Sequence, residues 1–164
     1  MKNLGVFDKT TQKTGKWIEA VAHGMGSTDM ERSFHVLRSV LHAIRDRLPA
    51  NEAVHLGAQM PMLVRGFYYE GWHPADKPER YRHLQTFLDH VAREVPQLDA
   101  TQRVRAAEAV FDVLTHEISS DEIAQVRHAL PAEIRDLWRL HSQEVNHADA
   151  LADPVPQSRT IDLH

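Results

Sequence analysis

Twelve histidines in 164 residues are many, and histidine ligates zinc, iron, nickel and copper. Two of them stand in Glu-x-x-His pairs, Glu52 with His55 and Glu144 with His147. In di-iron bundles such pairs project from long helices, and carboxylates on facing helices complete the site. Here Pro61 and Pro131 cut the candidate helices short. Glu52 stands where a helix-start carboxylate is expected. His35 with His42, and His83 with His90, share a helix face as rim histidines do. The reading is no metal site and no cofactor.

A second group concentrates rings and charge at a helix end: Arg65, Tyr69, Glu70, Trp72 and His73. Aromatic residues with arginine make up interface hot spots and also line ligand pockets. These five are the expected binding residues, with Tyr68 beside them assigned to the core.

Other chemistries find little support. The chain has no cysteine, which removes disulfides, thiol nucleophiles and cysteine-ligated metals. No serine sits in a recognisable nucleophile elbow, so an enzyme is not expected. The net charge is −4, and the helix expected at 51–60 has no Lys or Arg to reach phosphates. Arg80, Arg82, Arg93, Arg103 and Arg105 are interleaved with Glu79, Asp89, Glu94 and Asp99, which argues against nucleic acid as a partner. No apolar run approaches the roughly 20 residues of a membrane span, and MKNLGVFDKTTQ lacks the apolar core of a signal peptide. A cytoplasmic protein away from the membrane is expected.

The elements that must position these residues are helices. Apolar positions at 34, 37, 41, 44 and 48 step in threes and fours after Asp29, a capping residue. Val36, Val40 and Ala43 widen that face, so the helix to about Arg47 is expected to be central. A first helix is expected over 8–25, capped by Asp8 or Thr10, and short helices over 51–60 and 61–70. Further helices are expected over 79–94 from Asp76 and Pro78, over 100–118 after an Asp99–Gln102 box, and from Ser119 after a Ser119–Glu122 capping box. A last helix runs from Pro131 to about Ala148. No period-2 strand appears, so the fold class is all-α.

One ungapped offset of 70 residues relates the two halves. It matches Asp29 to Asp99, Leu41 to Phe111, Glu52 to Glu122, Pro61 to Pro131 and Tyr68 to Trp138. The expectation is two tandem pseudo-symmetric helical-bundle repeats, residues 1–75 and 76–150, packed as one domain, with residues 151–164 an extended arm.

The run MPMLVRGFYYEGWHP, residues 60–74, resembles the hallmark of a bacterial family catalogued as domain of unknown function 2267. FDKTTQKTGKWI (7–18) and LPANEAVHLGAQ (48–59) are similar to it too. The resemblance covers about residues 5–140 and implies an all-helical bacterial protein, without an activity. The expected function is a non-enzymatic helical protein-interaction or regulatory module that binds another protein or itself. The alternative is a small-ligand or metal-binding protein using the YYEGW or His-rich regions.

Overall fold

The computed structural model describes residues 4–151. These residues are all-α, with no strand among them. The helices are α1 (Gly5–Gly24), α2 (Met30–Arg47), α3 (Ala50–Ala58), α4 (Met62–Tyr69), α5 (Leu84–Glu94), α6 (Ala100–Glu117), α7 (Ser120–Ala129) and α8 (Ala132–Leu151), with a 3-10 turn at Pro74–Asp76. No described helix is long and apolar enough to cross a membrane.

α2 and α6 form the centre. α2 buries Val36, Leu37, Val40, Leu41, Ala43 and Ile44, and with them the polar Ser33, Ser39, His42 and Arg45. A helix covered on this much of its circumference lies between neighbours on several sides. α6 buries Ala106, Ala107, Ala109, Val110, Phe111, Val113 and Leu114. Trp138 of α8 stacks on Phe111 with ring centroids 4.4 Å apart and planes 3° from parallel.

The two halves of the chain trade helices. α1 packs on α2 and on α6, α5 packs on α2 and on α6, and α3 meets α7. A Cβ on Gly24 would stand 2.8 Å from the Ala109 Cβ, so α1 approaches α6 closely only because that position is glycine. One hydrophobic cluster runs through the whole, from Trp17 to Trp138.

Several start and stop signals act as their chemistry requires. The Asp29 carboxylate accepts from the Arg32 N–H at 3.0 Å. Asp99 and Gln102 bond reciprocally, at 2.9 and 3.0 Å. α3 ends before Pro61 and α7 before Pro131, where a missing N–H ends the helical ladder.

Other starts differ. α1 begins at Gly5 rather than residue 8, and neither Asp8 nor Thr10 caps it: Leu4 is its N-cap, without a side-chain bond. Thr10 is buried, and its hydroxyl accepts the Leu63 N–H at 3.2 Å, satisfying an amide in the first turn of α4. The helix expected from 79 begins only at Leu84. The stretch before it is pinned to the end of α2: Glu79 N–H donates to the Asp46 carbonyl at 2.8 Å, and Arg47 Nε to the Tyr81 carbonyl at 3.0 Å. The Leu84 N–H finds its acceptor on Glu133 of α8, at 2.7 Å. α8 continues past Ala148 to Leu151, so Leu151 is helical rather than part of an arm. The arm expected beyond it, residues 152–164, lies outside the described residues.

Candidate functional site

The five expected binding residues all lie in α4 or in the turn that follows it. Arg65 spends its guanidinium on α3: Nε donates to the Gly57 carbonyl at 3.0 Å, and Nη2 to Met60 at 3.0 Å and Ala58 at 3.3 Å. It thereby satisfies carbonyls that the end of α3 leaves open. Tyr69 is half-buried on the same helix, with its hydroxyl 3.5 Å from the Val54 carbonyl. Burial raises the Tyr69 phenol above its ordinary value, while the Arg65 charge pulls it down. Trp72 is half-buried beside it, ring centroids 5.4 Å apart, and its indole N–H is shielded without an acceptor. Glu70 pairs with Arg38 at 2.8 Å. His73 is exposed. The structure thus brings Tyr69 and Trp72 together and turns Arg65 and Glu70 toward neighbouring helices.

Beneath them lies a polar centre that includes His42, which the sequence reads as a rim histidine with His35: His35 is exposed, but His42 is buried, because α2 is covered on that side by α4 and α5. Arg45 is 3% exposed, and its Nη1 donates to the Tyr68 and Glu70 carbonyls at 2.6 and 2.8 Å. Asp46 balances its charge at 2.8 Å. His42 places Nε2 2.6 Å from the Phe67 carbonyl and Nδ1 2.9 Å from Glu94. Both neighbours are acceptors, so both contacts are hydrogen bonds only when both ring nitrogens carry protons. Burial alone would raise the Glu94 carboxyl, but the His42 hydrogen bond and the charges of His42, Arg38 and Arg45 outweigh it and hold it low. The Arg45 guanidinium of α2 therefore closes the C-terminal end of α4, where helix carbonyls concentrate negative charge. The available signal was polar: Ser39, His42 and Arg45 punctuate the wide apolar face of α2.

Elsewhere, His141 of α8 is gripped by two carboxylates of α6, Glu108 at 2.7 Å and Asp112 at 2.8 Å. Its two nitrogens are taken, as those of His42 are. Among the described residues no three His, Asp or Glu side chains are arranged to hold a metal ion.

Glu52 and Glu122 depart from the helix-start role expected of them. Pro49 precedes α3 and has no N–H to receive Glu52. The Ser119 hydroxyl does accept from the Glu122 N–H at 3.4 Å. The returning half of that box is missing, because the Ser119 N–H donates to Gln59 at 3.0 Å instead. Both carboxylates are left with a shielded oxygen and no donor.

A family model described as an uncharacterized conserved protein, DUF2267, matches residues 14–137. The chain belongs to the DUF2267 family. No curated protein matches it. The segment matched in this DUF2267 chain contains the end of α4, the Arg45 clasp and both carboxylates of the α3–α7 contact. It leaves out the first turns of α1.

Those turns of the DUF2267 protein carry a surface of their own. Nine large apolar side chains stay exposed among the described residues. Five of them, Leu4, Val6, Phe7, Met62 and Leu63, stand at the N-terminal ends of α1 and α4, helices that the Thr10–Leu63 hydrogen bond ties together. Lys9, Lys13 and Lys16 follow along α1 at helical spacing and are exposed. Lys13 and Lys16 with Trp17, Met60 and Pro61 line a cleft of about 360 Å³ next to this patch. The larger cleft, about 640 Å³, lies at the start of α2 and is lined by charged and polar groups such as Asp29, Glu31, Arg32 and Glu94.

Proposed function

We propose that this chain is a non-enzymatic protein-interaction module built by tandem duplication, and that it docks its partner on the apolar, lysine-edged face of α1 and α4. The duplication is supported by the element starts. α2 and α6, α3 and α7, and α4 and α8 each begin 70 residues apart. It is also supported by the helix pairing. Exchanging α1 with α5, α2 with α6, α3 with α7 and α4 with α8 turns the α1–α6 contact into α5–α2, and α2–α4 into α6–α8, each of which exists.

The observation that carries the docking face is an asymmetry between the halves. Val6, Phe7, Met62 and Leu63 are exposed in the first half. The positions 70 residues on are Asp76, Lys77, Ala132 and Glu133. The second half thus presents no such apolar face, and exposed apolar clusters of this kind mark binding surfaces. The lysines beside the patch suit a partner segment that is apolar on one side and acidic on the other.

The double variant Phe7→Asp, Leu63→Asp tests the reading. Urea melts should move by about 0.5 kcal/mol or less per exposed site, while self-association in sedimentation, or binding of an isolated partner, is lost. A loss of stability of core size, about 2 kcal/mol or more for each site, would show that the face is packing and would remove the proposal.

A further inference from the structure

Arg47 is the last residue of α2, and Arg80 and Arg82 stand in the segment pinned to that end. All three line one cleft of about 290 Å³. Arg47 and Arg82 also line a second, of about 430 Å³, so the two clefts share those side chains.

The sequence interleaves these arginines with acids, and the fold separates the two. The Glu79 carboxylate goes to His90, at 3.2 Å, and to Lys77, at 3.9 Å. Tyr81 stacks on the same histidine, ring centroids 5.3 Å apart. Asp46 is held by Arg45 at 2.8 Å. Arg80 and Arg82 alternate with Glu79 and Tyr81 and are exposed, with no hydrogen-bond or ion-pair partner among the described residues. Arg47 is fixed by its Nε, which donates to the Tyr81 carbonyl at 3.0 Å, and its guanidinium lies 5.5 Å from the centre of the Tyr81 ring. Its two terminal nitrogens have no acceptor among the described residues.

Three guanidiniums around one cleft repel one another, and an anion among them relieves the repulsion. The planar guanidinium presents paired N–H donors that match the oxygens of a phosphate. The segment that carries Arg80 and Arg82 is fastened at both ends, by the Glu79 N–H on the Asp46 carbonyl at 2.8 Å and by the Leu84 N–H on Glu133 at 2.7 Å. Its backbone therefore needs little ordering when a ligand arrives.

We propose that Arg47, Arg80 and Arg82 bind the phosphate of a small phosphomonoester, whose uncharged body lies in the adjoining cleft. Pro131 and Ala132 wall that cleft, and Glu133 stands in it with His83 3.4 Å away. An apolar wall beside one carboxylate suits a neutral body with a hydroxyl to donate, and it repels a second phosphate. A run of phosphates, as in a nucleic acid, is disfavoured for the same reason. The site uses none of the residues of the α1 and α4 docking face, so either can fail without the other.

The test titrates the full nitrogen-15-labelled chain with glycerol 3-phosphate, with inorganic phosphate and with glycerol, at an ionic strength held constant by sodium chloride. Both phosphates should move the amide signals of Arg47, Arg80, Tyr81 and Arg82 saturably, glycerol 3-phosphate at the lower concentration, and glycerol should not. Arg82→Gln changes an exposed side chain and should weaken glycerol 3-phosphate roughly tenfold, the loss of one charge-assisted contact. Arg47→Lys keeps the charge without the fork and should weaken it by a similar factor. Should Arg47→Lys fail to fold, Arg80→Gln and Arg82→Gln, both at exposed positions, decide. The proposal is overturned if the shifts rise without saturating, or if Arg80→Gln and Arg82→Gln both bind glycerol 3-phosphate as the unaltered chain does. Inorganic phosphate binding as tightly as glycerol 3-phosphate would overturn the role given to the adjoining cleft.

Discussion

Tyr69 of α4 lies against Gly57 of α3 so closely that a Cβ on Gly57 would stand 2.8 Å from the Tyr69 Cζ and 2.9 Å from the Tyr68 Cε1. Alanine inside a helix normally gains about 1 kcal/mol over glycine. Here the clash should win. Tyr69 can swing toward solvent, but Tyr68 is fully buried with its hydroxyl tied to Ala53. Gly57→Ala is expected to cost about 1–3 kcal/mol in a urea melt, the range of an overpacked core. Adding Tyr69→Ala should recover only part of it. A stabilised Gly57→Ala variant would show that α3 and α4 are free to move apart.

Leu41 and Phe111 occupy matching places on α2 and α6, and both are wholly buried. Each truncation to alanine should cost about 2–5 kcal/mol. Phe111→Ala should be the worse, because it also strips Trp138 of its stacking partner. Equilibrium denaturation with an unchanged slope checks both. A change under about 0.5 kcal/mol in either would be the behaviour of a surface site.

Glu94 is a carboxylate held low in the fold by His42, Arg38 and Arg45 against the opposing effect of burial. Its contribution is present above the ordinary glutamate value and is lost as pH falls through its lowered one. The acid limb of the stability profile should therefore flatten in Glu94→Gln. If that limb is unchanged, the His42–Glu94 contact does not persist in solution.

Burial and the Glu52 charge raise the Glu122 carboxyl above its ordinary value, and His55 acts against them. The position 70 residues on from His55 is Gln125. Replacing it, His55→Gln, removes the group that pulls the Glu122 carboxyl down. The Glu122 titration should move further upward, and stability on the acid side should extend to higher pH. Carboxyl chemical shifts read this directly. A downward move would mean that His55 acts on Glu122 through packing rather than charge.

Much of this molecule is legible from local chemistry. Asp29 and Asp99 cap helices because short polar side chains reach the amides that follow them, and Pro61 and Pro131 end helices because they lack an N–H. What is not legible depends on partners far along the chain. Leu63 takes its acceptor from Thr10, Leu84 from Glu133, and Ser119 from Gln59. Each exchange displaces the neighbour that a local rule would choose. For the same reason Glu52 and Glu122 read as caps in the sequence, and in the fold each keeps a shielded oxygen without a donor. The YYEGW run reads as a surface of rings and charge, yet Arg65 and Glu70 are tied to backbone and to Arg38, and this too follows from contacts across helices.

The crossed packing of α1 on α6 and of α5 on α2 has a consequence for the chain during its synthesis. When the ribosome has made only the first half, α1 and α2 have each other but lack α5 and α6, which cover their remaining apolar sides. That half must wait with core surface open until about Ile118 has emerged. The stretch between α4 and α5 then works as a tether. It holds the second half at an effective concentration on the order of millimolar, so that a docking which would otherwise need an encounter in solution becomes the closing of one loop.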